Sequence, residues 1–388
     1  MKKFLALLLA LVMSLSLVAC GGGDDTAADG GADAEDGGNA ETAAYQVAMI
    51  TDYGDITDQS FNQTTYEACQ EFCDAEGLQF EYYKPAGDST AERVAMVDAA
   101  VADGYNVIVM PGYAFAETIK ETAELYPDVT FIALDVAQGD LDPNGEGYTL
   151  PSNVYCAVYQ EELCGYMAGY AAVKLGYTHL GVLGGMAVPA VQRFGYGFVQ
   201  GADAAAVEMG IADQVVMEYV YGNQFFGDSD ITAYMDNWYQ TLGVEVVFAS
   251  GGGIYTSAAE AAAKVGGKLI GVDVDQSANI DTYGEGMCVT SAMKGLAETV
   301  KHMLGEVVAG NFANYGGQVE TLGLVNGDDP TANYVQLPME TTQWGDGFTQ
   351  DDYKALVKAM YDGDVTVSND ISAMPATTIT VNFAGNIK

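Results

Sequence analysis

The sequence predicts an α/β protein built as two doubly wound parallel-sheet lobes joined by a hinge. Three observations predict it. Apolar runs of strand length, such as VIVM at residues 107–110 and TFIAL at 130–134, recur along the chain. Segments with helical spacing of apolar residues separate them. The pattern stops in a stretch rich in Gly, Asp and Pro over residues 138–152 and then restarts. Near-continuous apolar strands alternating with helices make a parallel sheet covered on both faces. Right-handed crossovers then wind it in both directions.

In the first half, residues 45–51 (YQVAMIT) read as a strand and 63–76 as a helix. Residues 80–83 are the next strand, 89–102 a helix, 107–110 a strand, and 114–125 a helix ended by Tyr126-Pro127. Residues 130–134 form the fourth strand. After the break, helices are expected over 161–174, 189–209, 230–242 and 257–265. Strands over 179–183 (HLGVL), 215–221, 244–249 (VEVVFA) and 268–272 (KLIGV) alternate with them. A strand over 287–291 and a helix over 292–309 follow. Residues 313–343, where Gly, Thr and Val dominate, read as a hairpin appended to one lobe. A helix over 349–361 and an edge strand within 365–379 come next. The expected organisation is a first lobe over 45–153, completed by part of 277–325. A second lobe spans 154–276, and an extension packed on the lobes spans 326–388.

The first 44 residues are of another kind. Lys2 and Lys3 precede a short apolar run and then Leu17-Val18-Ala19-Cys20. That run is too short for an ordinary spanning helix and reads as a secretory leader over residues 1–20. A small residue followed by cysteine at its end resembles the bacterial lipobox, in which the cysteine, here Cys20, is lipidated. Residues 21–44 hold seven Asp and Glu and no Lys, Arg, aromatic or β-branched aliphatic. Such a segment buries nothing and reads as a disordered acidic tether. The remaining residues carry 12 Lys and Arg against 47 Asp and Glu. Nucleic acid is excluded as a partner, because phosphate contacts need clustered cations. Besides Cys20, the cysteines Cys69, Cys73, Cys156, Cys164 and Cys288 are odd in number, so they are not a disulfide scaffold. Cys69 and Cys73 lie one helical turn apart and read as buried apolar side chains.

Ligands of doubly wound sheets sit at the carboxyl ends of the strands. After the first strand comes Asp58-Gln59-Ser60-Phe61-Asn62. Asp58 or Ser60 suits a helix N-cap. Asn62 offers a donor and an acceptor together, and Phe61 is either a stacking face or a core plug. Gly112 allows close backbone approach after the third strand, and Asp135 at the end of the fourth is a helix cap or a ligand contact. In the second half, Phe225 and Phe226 follow a strand, and one ring is expected to pack while the other faces the cleft. Ser250-Gly251-Gly252-Gly253 presents backbone N–H groups without obstruction, yet matches neither a Walker loop nor a dinucleotide fingerprint. Asp273 and Asp275 lack the twelve-residue loop of a calcium site. Asp273 suits a vicinal diol, which a carboxylate grips with both oxygens. Lys294, expected at the start of a helix, is a solvated lysine or a cation that meets Asp273 or a purine acceptor. With only His179 and His302, no nucleophile–base pair or metal cluster stands out, so neither catalysis nor a cofactor is expected.

These stretches, with Tyr126-Pro127-Asp128, Phe131 to Asp135, Gly184-Gly185 with Pro189, Phe194-Gly195-Tyr196-Gly197-Phe198 with Gly201, Gly271 to Gln276, and Ser291 with Lys294, run in one order from about residue 45 to 310. The set resembles the basic membrane protein family of ABC solute-binding lipoproteins, whose best understood type is a purine-nucleoside receptor. The resemblance implies a fold like that of type I periplasmic binding proteins. It implies a lipid-anchored monomer on the outer face of the cell membrane, serving a permease and its ATPase subunits. It also implies that Asn62 and Asp135 address a base, an aromatic of the Phe225–Phe226 pair stacks on it, Gly252 and Asp273 hold ribose hydroxyls, and Lys294 completes the site. Asp58, Phe61 and Gly112 stand beside them. A sugar or autoinducer ligand is the alternative. Two positions depart from the pattern: Ile254-Tyr255 stands where the family usually has a further glycine, and Ala68 where it often has one.

Overall fold

The computed structural model describes residues 45–387, and the leader with Cys20 and the acidic tether lie outside them. The chain begins with β1 (Gln46–Ile50), α1 (Phe61–Glu76), β2 (Gln79–Tyr83), α2 (Thr90–Ala102) and β3 (Val107–Pro111). Next come α3 (Ala116–Thr122), β4 (Thr130–Leu134), the single turn α4 (Gln138–Leu141), β5 (Val154–Tyr159) and α5 (Glu161–Lys174). They are followed by β6 (His179–Gly184), α6 (Pro189–Met209), β7 (Val216–Tyr221), α7 (Ser229–Asp236), β8 (Val246–Ser250) and α8 (Tyr255–Ala263). Then come β9 (Lys268–Asp273), α9 (Ser277–Ile280), β10 (Cys288–Lys294), α10 (Leu296–Val308) and β11 (Gln318–Leu322). Last are β12 (Val335–Gln336), α11 (Gln350–Tyr361) and β13 (Thr380–Asn386). Among the described residues no helix is long and apolar enough to cross a membrane.

The strands form two sheets, as the apolar runs predict. The first has the order β11-β5-β4-β3-β1-β2 and the second β12-β10-β9-β8-β6-β7-β13. All pairings are parallel except β10 with β12. Strands β3 and β8 are buried along their whole length, because helices cover both faces of each sheet. The strand order reverses between β1 and β3 in one sheet and between β6 and β8 in the other, which opens a crevice at each carboxyl edge.

The chain passes between the sheets three times: after β5, after β10, and between β11 and β12. These crossings are tied to one another. Gln160 N–H donates to the Leu322 carbonyl at 2.9 Å, and Gly295 N–H to that of Tyr334 at 2.7 Å. The crossings redraw the expected organisation. Residues 154–159, assigned to the second lobe without a strand, instead form β5 and pair with β4 in the first sheet, and β10 lies in the second. The stretch expected to form a hairpin is split, with β11 on β5 and β12 on β10. The edge strand sits beyond 365–379, as β13 on β7. Lys294 is the last residue of β10, not the first turn of a helix, which starts two residues later. In the extension, α11 packs on α5, and the five cysteines of the described residues are free and buried.

Candidate ligand-binding cleft

The carboxyl-end loops of the two sheets face each other across one cleft. It encloses about 820 Å³, part of it open to solvent. Asp58, Phe61, Asn62, Gly112, Asp135, Phe225, Gly252, Asp273 and Lys294 all line it. Phe226 does not; the residue is 61% exposed, so it is not packed as expected, and Phe225 is the member of the pair that faces inward. Tyr255 is absent from the wall as well, because α8 carries it into the core behind the Gly251–Gly252 turn.

The start of α1 sets the first wall. Ser60, the residue ahead of the helix, makes no capping bond. Asp58 does that work. Its carboxylate accepts from the backbone N–H groups of Ser60, Asn62 and Gln63, each at 3.0 Å. The same carboxylate accepts from Asn62 Nδ2 at 3.1 Å. This fixes which end of the Asn62 amide is free: Oδ1 is buried without a partner. Asp135 Oδ1 and Ser250 Oγ are buried without partners too, and both residues line the cleft. Buried polar atoms are normally bonded, because leaving one dry costs roughly 1–3 kcal/mol. Three residues that line one cavity carry such atoms: the Asn62 and Asp135 oxygens suit hydrogen-bond donors, and the Ser250 hydroxyl suits a donor or an acceptor.

At the back of the cleft lies a buried ion cluster. Lys294 Nζ donates to Asp135 Oδ2 at 2.6 Å and lies 3.5 Å from Glu161 Oε1 and 3.7 Å from Asp273 Oδ1. It also sits 4.8, 5.4 and 5.5 Å from the ring centres of Phe61, Tyr159 and Phe194. Arg193 Nε donates to Glu161 Oε2 at 2.6 Å. Burial alone lowers the Lys294 ammonium, but Asp135, Asp273 and Glu161 outweigh it and hold it charged. Burial pushes the Asp135 carboxyl above its ordinary range against the pull of Lys294. Both cations are thus spent on protein carboxylates, and the lysine is hydrogen-bonded to Asp135 and lies beside Asp273 while lining the cleft.

The backbone is strained at the same points. Asp135 and Asp273, at the ends of β4 and β9, have φ of 60° and 66°. Left-handed backbone at residues other than glycine costs of order 1 kcal/mol or more and clusters at functional sites. Gly112 has φ 126°, and a Cβ there would come 2.8 Å from Asp52 Oδ2, so only glycine fits this turn. Asp52, Tyr53, Tyr113, Asp140, Arg193 and Phe194 also line the cleft, and the sequence alone assigned none of them to the site, although Phe194 lies in the aromatic-glycine run that carries the family resemblance. One signal was present: Arg193 is one of only two arginines, beside an aromatic-glycine run. Glu161 gave none, since an acid in a first helical turn is ordinary.

Comparison with known proteins places the chain. Residues 45–328 match the family described as ABC transporter substrate-binding protein PnrA-like. A CD4+ T-cell-stimulating antigen of Listeria innocua is 26% identical over 365 residues, 87% of this chain and 95% of the relative. The ABC transporter nucleoside-binding protein BmpA of Lactococcus lactis subsp. cremoris is 25% identical, covering 73% of this chain and 80% of its own length. An ABC transporter solute-binding protein from Conexibacter woesei superposes with a TM-score of 0.64 at 23% identity, over 84% of this chain and 99% of that one, which supports the fold. The paired doubly wound sheets, the cleft between their strand ends and the family match agree: the chain belongs to the PnrA-like family of ABC transporter substrate-binding proteins.

Proposed function

We propose that the cleft captures a purine nucleoside and delivers it to an ABC permease, with the protein held outside the cell by a lipid on Cys20. The observation that carries this reading is the set of unpartnered buried acceptors, Asn62 Oδ1 and Asp135 Oδ1, beside the Phe61 and Phe225 rings. A purine is flat and apolar on its faces and offers N–H donors at its edge. Aromatic rings take the faces and acceptors take the edge. The ribose then meets Asp273, whose carboxylate suits a vicinal diol, and the Ser250–Gly252 turn. A relative whose name carries nucleoside binding supports the same ligand class.

Thermal unfolding with inosine, guanosine and adenosine tests this. A bound ligand at about 100 times its Kd adds about 2.7 kcal/mol of stability, so at least one nucleoside is expected to raise the unfolding temperature clearly. If all three leave it unchanged, the nucleoside reading is wrong. A rise with ribose or galactose alone would move the ligand to the sugars.

A further inference from the structure

We infer that Gln276 is a positioning residue: a latch that holds the two lobes closed without touching the ligand. Gln276 follows β9 in the second lobe, is fully buried, and is not on the cleft wall. Three groups pin it. Its Oε1 accepts from Val272 N–H at 2.9 Å, and its N–H donates to Ser291 Oγ at 3.1 Å. Both contacts lie within its own lobe, so the amide is orientated before the lobes meet. The free end, Nε2, donates across the cleft to the Gln59 carbonyl at 3.0 Å. Next to it, Ser60 Oγ donates to Asp273 Oδ2 at 2.6 Å, again between lobes.

Two features mark these as more than incidental contacts. Gln59 has φ 56°, a left-handed conformation that a side chain disfavours. This turn presents the Gln59 carbonyl to Gln276 while Ser60, freed from capping by Asp58, reaches Asp273. Four polar groups on one short loop and one strand end are therefore paired only when the lobes are shut. Opening hands them to water, so the clasp is modest and reversible, as a capture device requires. It shifts the open–closed balance toward closed and slows escape of whatever is bound.

The test compares wild type with Gln276→Glu, which keeps the acceptor for Val272 but sets a carboxylate against the Gln59 carbonyl. Small-angle X-ray scattering of the ligand-free proteins reads the opening directly. The radius of gyration is expected to rise in the variant, and an unchanged radius overturns the latch. Ser60→Ala, which removes one hydroxyl, serves if Gln276→Glu folds poorly, and the same rise is expected of it. An amide that only supports the fold would lower the unfolding temperature at constant radius. With inosine as probe, stopped-flow release is expected to speed up about fivefold, the effect of one lost hydrogen bond of about 1 kcal/mol. The release arm rests on the nucleoside reading and the scattering arm does not. Failure of inosine, guanosine and adenosine alike to bind wild type would sink that reading and leave the radius to decide the latch.

Discussion

Glu162 is buried in the first turn of α5, and its Oε2 has no partner. Burial raises its carboxyl to about 7, with the neighbouring Glu161 adding to the rise and Arg193 opposing it. A carboxyl raised on folding favours the protonated native state. Its stabilisation is complete below the unfolded value near 4.5 and is lost as pH rises through about 7. The Gln variant keeps the shape and removes the charge. Glu162→Gln is therefore expected to be more stable than wild type at pH 8, by up to ~3 kcal/mol, and to match it near pH 4.5. Denaturant unfolding at the two pH values checks this, and a variant that is less stable at pH 8 would contradict it. Nothing in the sequence around Glu162 marks it, because its burial comes from α6 lying across α5. The contrast with Asn62 and Asp273 is physical. Asn62 opens the helix after β1 and Asp273 ends β9, so order along the chain alone places both at the carboxyl edge of a sheet.

Helices α5 and α6 pack backbone against backbone, and glycines make it possible. A Cβ on Gly165 would lie 2.2 Å from the Phe194 carbonyl oxygen, and one on Gly201 would lie 2.0 Å from that of Tyr166. Gly169 and Gly197 face Phe198 and Glu162 in the same way. The obstacle is backbone in every case, so no rotamer change relieves it. Gly165→Ala is expected to cost about 1–3 kcal/mol by overpacking, or more, despite the better helix propensity of alanine. Urea midpoints of the two proteins measure it, and a neutral result would mean that the helices part easily. The same crossing carries Glu161, on α5, to Arg193, on α6, so it also seats the ion cluster. At this scale the sequence was readable where pattern is local and mute where pairing is distant. The apolar runs of β3, β4, β8 and β9 identify themselves. Strand β5 was missed because residues 154–159 follow a loop-rich break and look like the start of something new. The stretch holding β11 and β12 looks like a hairpin because each short strand is completed by a sheet more than 40 residues away in the chain. Lys294 was placed on a helix because the small residues before it suit either state.

The molecule as a whole is strongly acidic, with 47 Asp and Glu against 12 Lys and Arg from residue 45 onward. Several of the cations are already committed inside. Lys294 and Arg193 belong to the cleft cluster, and Arg93, itself buried, pairs with Asp88 at 2.7 Å. The surface is left with a large excess of carboxylates, and their mutual repulsion works against the compact state. Exposed pairs such as Lys84–Asp55 and Lys301–Glu71 act the other way. Each of these contributes little, about 0–1 kcal/mol, so repulsion dominates. Raising the salt from about 0.01 M to about 0.15 M shortens the screening length from about 30 Å to about 8 Å. Long-range repulsion is then cut, whereas buried pairs are barely touched. The unfolding temperature of the tether-free protein is expected to rise over that range and then flatten. A fall would show that attractive surface pairs outweigh the net charge. On the proposed nucleoside reading, the same measurement with inosine present separates this term from the site. The cleft cluster is buried and internally paired, so the gain in unfolding temperature caused by the ligand is expected to stay nearly constant while the baseline climbs.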